Sequence, residues 1–216
     1  MKTLKQFVSW LKEEKKKSFS VQELKTLKDF DSIREFLVAS LGMPSSNGLY
    51  REVWIIDFDK VIKLTNVRNQ NKRELKNTRC MKNYACQVLD FDPEFHWIIQ
   101  EKAMILDEND FLDELRKNLN HQFYDAAEAK NFLYFSTLKV IHSKEDPSIW
   151  FADLLGNQFD QHVFNELFEW LYQSNSWFAG LINALSTCKA DASDLHYENW
   201  GIRASTGELV ILDLGS

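Results

Sequence analysis

Apolar positions in this chain recur at two spacings, and the change from one to the other outlines its elements. Near the start, Leu4, Phe7, Val8 and Leu11 share a helical face, and Ser20-Val-Gln-Glu23 is a capping-box pattern, so two short helices are expected. The runs Gly48-Leu-Tyr-Arg51-Glu-Val53-Trp-Ile-Ile56 and Lys60-Val-Ile-Lys63-Leu64 are rich in strand-favouring residues, and Asp57-Phe-Asp59 joins them as a hairpin turn. A helical stretch begins near Asn69, and Phe95-His-Trp-Ile-Ile-Gln-Glu-Lys-Ala103 reads as an apolar strand with a polar crossing at its end. Asp107 to Leu119 has an acidic start and a basic end, which suits the helix dipole.

From about 161 to 187, Phe164, Leu167, Phe168, Leu171, Phe178, Leu181, Ile182 and Leu185 form one long amphipathic segment whose aromatic stripe reads as core. Turn residues in Glu145-Asp-Pro-Ser148 and Leu155-Gly-Asn157 mark 141 to 159 as a connector. Trp200 to Arg203 and Glu208 to Leu212 read as two strands split by the turn Ser205-Thr-Gly207. The expected class is α+β.

Composition narrows the picture. A hydrophobic fraction of 44% over 216 residues supports a substantial core, and a net charge of −6 argues against a chain devoted to nucleic acid. Cys80, Cys86 and Cys188 are odd in number and lack a paired C-x-x-C spacing, so neither a disulfide framework nor a zinc site is expected, and a cytoplasmic setting is the default. The sequence contains no run of apolar residues long enough for a membrane span and no P-loop pattern.

The candidate chemistry lies at the end of the chain. Asp194-Leu-His-Tyr-Glu-Asn-Trp-Gly201 sets an asparagine five places after an aspartate, and Leu209-Val-Ile-Leu-Asp-Leu-Gly215 delivers a second aspartate just before a glycine. Phosphoryl transfer needs an acceptor hydroxyl oriented and a hard cation held across phosphates, and this set of oxygens offers both. In that reading Asp194 is the base, while Asn199 and Asp213 are Mg2+ ligands.

With these residues in view, the chain resembles the protein-kinase-like phosphotransferases, and among them the small phage-type Ser/Thr kinases; Asp194-Leu-His196 is also similar to aminoglycoside and choline kinases. The resemblance implies a two-lobed fold: an N-terminal helical extension over 1–44, a small antiparallel-sheet lobe over 45–105, and a mostly helical lobe over 106–216. The lobes would share a nucleotide cleft. It also implies roles upstream. Gly48 would line the phosphate loop with Val53, Lys63 in Val61-Ile-Lys63 would reach the phosphates, and Glu74 would hold that lysine. Gln100 would sit at the gatekeeper place, and backbone groups from Glu101 to Ala103 would meet the adenine edge. His196 stands in the place of a catalytic-loop lysine.

The departures are the single glycine of Ser45-Ser-Asn-Gly48, Ala192-Ser193 in place of His-Arg, and a chain that ends one residue beyond Gly215. Either this is a fragment of a longer protein or a minimal kinase, and in the minimal case substrate recognition falls to the N-terminal helices and the 120 to 160 region. The expected function is ATP- and Mg2+-dependent transfer to Ser/Thr of proteins, host proteins in a phage-like setting, and to the chain itself. The alternatives are a pseudokinase that acts by binding, a small-molecule kinase, and AMP transfer instead of phosphoryl transfer.

Overall fold

The structure, a computed structural model, describes residues 19–47, 51–143 and 160–214. The Leu4 to Leu11 stripe, Gly48, Gly215 and the two connector turns lie outside them. The described residues form a mixed α+β protein with seven α-helices and two small sheets. The chain divides into two compact units: residues up to Asn71 with Leu89–Gln100, and Lys72–Val88 with everything from Glu101 onward. Each unit is described by itself.

The first unit holds helices α1 (Val21–Leu24) and α2 (Phe30–Leu41) and the strands β1 (Ser46–Asn47), β2 (Glu52–Ile55) and β3 (Lys60–Leu64). The Ser20 hydroxyl accepts the Glu23 N–H at 3.3 Å, and Asp29 accepts the Ser32 N–H at 2.9 Å, so each helix starts on a capping side chain. The β2–β3 hairpin is antiparallel, and Asp57 closes its turn by accepting the Asp59 N–H at 3.1 Å. Strands β4 (Val88–Phe91) and β5 (Trp97–Glu101) complete a sheet of order β1-β2-β3-β5-β4.

Helices α1 and α2 pack on this sheet. Leu24, Ile33, Phe36 and Leu37 share one buried cluster with Trp54, Ile62, Leu64, Trp97 and Ile99, so helices and sheet are two layers of a single core.

Helix α3 (Arg68–Met81) lies mostly in the second unit. The rest of that unit is a three-stranded antiparallel sheet of β6 (Ala103–Ile105), β7 (Trp200–Arg203) and β8 (Leu209–Ile211), with helices α4 (Glu108–Leu119), α5 (Ala126–Ile141), α6 (Gln161–Ser174) and α7 (Ser176–Cys188). Its core is strongly aromatic: Phe111, Phe132, Phe164, Phe168, Phe178 and Trp200 are all buried.

Three expectations change here. The long segment from 161 to 187 is two helices, because Asn175 adopts an extended conformation and its side chain accepts the Phe178 N–H at 2.9 Å, starting a new helix instead of continuing the old one. Residues 126–141, within the region assigned to substrate recognition, form a core helix whose N-terminus is closed by Asp125 accepting the Glu128 N–H at 2.8 Å. Finally, Cys80 and Cys188 are joined as a disulfide, tying α3 to the end of α7, while Cys86 remains a buried thiol. No pattern of local spacing announces a bridge whose ends are 108 residues apart.

Candidate functional site

The loop that carries Asp194 is built by its neighbours. Asp191 accepts the Ser193 N–H at 2.9 Å and so starts the short turn Ala192–Asp194, and Leu195 is driven into the core directly after it. The indole of buried Trp200 donates to the Leu195 carbonyl at 3.3 Å, fixing the far end of the loop. The Asp194 side chain, held between these anchors, stays 31% exposed. A base that must meet a substrate needs that access.

Asn199 joins the loop to the hairpin. Its side-chain nitrogen donates to the Asp194 carbonyl at 2.8 Å and lies 3.2 Å from His196 Nε2. Its own carbonyl accepts the Leu212 N–H at 2.8 Å, so Asn199 is linked to the residue next to Asp213. Because the amide nitrogen is committed, Oδ1 is the atom that Asn199 can present to a cation. Asn199 Oδ1 and the Asp213 carboxylate are both hard oxygen donors, the kind that Mg2+ takes in preference to nitrogen or sulfur. Among the described residues no group of three or more His, Cys, Asp or Glu side chains could hold a metal ion.

His196 stands between competing neighbours. Nε2 is 3.4 Å from Asp194 Oδ1, and Nδ1 is 3.5 Å from Glu198 Oε2. A single nitrogen cannot both accept from Asn199 and donate to Asp194, so the proton on Nε2 decides which neighbour the ring serves.

The hairpin behind the site depends on two glycines. Gly207 has φ +72°, a conformation that only glycine adopts without strain, and its N–H returns to the Arg203 carbonyl at 2.9 Å. At Gly201 a Cβ would lie 2.7 Å from the Met104 carbonyl oxygen, so β7 can approach β6 only with a hydrogen there.

The remaining predicted residues fall as follows. Glu74 is in the second unit and accepts the Leu214 N–H at 3.2 Å. Glu101 and Ala103 are in the second unit too, but the Glu101 N–H is engaged by the Gln87 carbonyl at 2.9 Å, so that donor meets an adenine edge only by giving up this bond. The Glu101 carboxylate accepts the Gln87 N–H at 2.9 Å and lies 3.3 Å from Arg203 Nε, which gives it a structural task. Val53, Lys63 and Gln100 belong to the first unit, where Val53 and Lys63 are directly opposite each other across β2 and β3, and Lys63 and Gln100 are buried.

A cavity of about 410 Å³ elsewhere in the second unit is lined by Tyr84, Glu114, Lys117, Trp177 and Glu208 among others, and by none of the predicted site residues. Its charged groups already serve the protein, Lys117 pairing with Glu114 at 3.3 Å and Glu208 with Arg203 at 3.0 Å. Sequence reasoning missed Asp191 and Arg203. Of these only Asp191 left a local signal, as an aspartate opening a turn.

Among the described residues no helix is long and apolar enough to cross a membrane. No protein-family model matches the chain, and no curated protein matches it either.

Proposed function

We propose that the chain is an ATP- and Mg2+-dependent phosphotransferase of protein-kinase-like, two-lobed architecture, acting on Ser/Thr hydroxyls of proteins, host proteins among them, and on itself. The observation that supports this most is the linkage of three chemically suited residues in one unit: Asn199 bonds the Asp194 carbonyl, and Leu212, beside Asp213, bonds the Asn199 carbonyl.

In this reading Asp194 accepts the hydrogen bond of the acceptor hydroxyl and orients its oxygen for attack. Asn199 Oδ1 and the Asp213 carboxylate hold the cation. When bound, Mg2+ neutralises charge on the phosphates. His196, with Nε2 unprotonated, accepts from Asn199 and leaves the Asp194 carboxylate to the substrate.

The setting proposed from sequence is cytoplasmic. The Cys80–Cys188 bridge is instead typical of oxidising compartments.

The test is incubation with γ-labelled ATP and Mg2+, with and without cell lysate, beside Asp194→Ala. Loss of the base is expected to slow transfer by about 10²- to 10⁴-fold while folding is retained. Unchanged labelling by Asp194→Ala would sink the mechanism, and label transferred from α- but not γ-labelled ATP would make the reaction AMP transfer.

A further inference from the structure

Helix α3 carries Glu74 and Asn77 one turn apart, and both reach the same residue far along the chain. Glu74 Oε2 accepts the Leu214 N–H at 3.2 Å, and Asn77 Nδ2 donates to the Leu214 carbonyl at 2.8 Å. Glu74 is 0%, Asn77 7% and Leu214 4% exposed. In such surroundings these bonds gain strength, and removing one partner leaves the other polar group unsatisfied.

The geometry of the peptide group carries the consequence to Asp213. The plane that contains the Leu214 N–H also contains the Asp213 Cα. On the other side, Leu212 is anchored through its N–H to the Asn199 carbonyl at 2.8 Å. Asp213 therefore lies between anchored neighbours, which restrain its backbone and so the Cα from which its carboxylate extends. A carboxamide suits position 77, since the Leu214 carbonyl needs a donor and a neutral donor adds no charge to the buried surroundings.

We propose that Asn77 is a positioning residue: with Glu74 it grips both polar groups of Leu214, and so holds in place the backbone from which Asp213 presents its carboxylate to the metal of a bound metal–nucleotide. The inference rests on the phosphotransfer reading, in which Asp213 is a metal ligand.

The experiment is calorimetric titration of the purified full chain with Mn2+·ATP and, separately, with ATP in EDTA, for wild type, Asn77→Leu and Asn77→Ala. Leucine keeps the branched shape without the donor, and alanine serves where the larger side chain prevents folding. In the variant that melts cooperatively, Mn2+·ATP is expected to bind about tenfold more weakly, equivalent to about 1.4 kcal/mol, the size of one net hydrogen bond. Metal-free ATP should bind as in the wild type.

Equal weakening of both forms, or of neither, overturns the proposal, because a purely structural role does not separate them. Failure of both variants to fold also overturns it and makes Asn77 structural. A wild-type chain that binds neither form of ATP removes the phosphotransfer reading itself, and the wild-type titration alone tells that case apart.

Discussion

The side-chain amide of Asn199 donates to the backbone carbonyl of Asp194 at 2.8 Å. This bond spans five residues and fixes the loop from within, so Asn199 serves geometry through its nitrogen and has Oδ1 left for chemistry.

Asn199→Asp separates these tasks. Aspartate keeps an oxygen for the cation but turns the donor into an acceptor facing the Asp194 carbonyl. The loop is expected to lose about 1–3 kcal/mol, the cost of a lost bond and an unsatisfied carbonyl. Transfer of label from γ-labelled ATP should fall at least as far as binding of Mn2+·ATP does. Wild-type activity and melting temperature in this variant would show that the bond does not organise the site.

Gly201 offers a test of packing. An added Cβ would lie 2.7 Å from the Met104 carbonyl oxygen and 3.1 Å from the Ala103 Cβ, and backbone on that side cannot rotate away as a flexible side chain would. Gly201→Ala should therefore push β7 off β6 and cost about 1–3 kcal/mol, as overpacking does. A thermal melt reads this as a fall of several degrees. An unchanged melt would mean that the sheet yields without cost.

How much of this was legible in the sequence depends on the range of each interaction. The β2–β3 hairpin, helix α4 and the β7–β8 hairpin rest on patterns within about a dozen residues, and the structure has all three. The break at Asn175 was also local, since Ser174-Asn175-Ser176 is a run of cap-forming residues, but the continuous apolar stripe on either side concealed it. Helix α5 was hidden in the same way by the turn residues that follow it.

Other features leave no local trace. Asn77 and Leu214 are 137 residues apart, and nothing around Asn77 distinguishes it from a solvated helix residue. Glu101 was read for its backbone, yet its N–H and carboxylate are both occupied by Gln87. Motif spacing identifies which chemistry a loop can perform. Which backbone groups are already taken is decided by tertiary pairing.

The Cys80–Cys188 bridge provides the last prediction. It closes a long loop between the helix that bears Glu74 and Asn77 and the helix that leads into the Asp194 loop. By the chain-entropy account, closing a loop of this size stabilises the native state by about 4.7 kcal/mol, which strain and residual structure in the unfolded chain reduce to the about 2–4 kcal/mol typical of disulfides. Thiol titration of protein denatured without reductant should find Cys86 alone, and all three cysteines after treatment with a dithiol. The double variant Cys80→Ser, Cys188→Ser should melt like reduced wild type. Three thiols before reduction would contradict the bridge and favour the reducing cytoplasm proposed from the sequence.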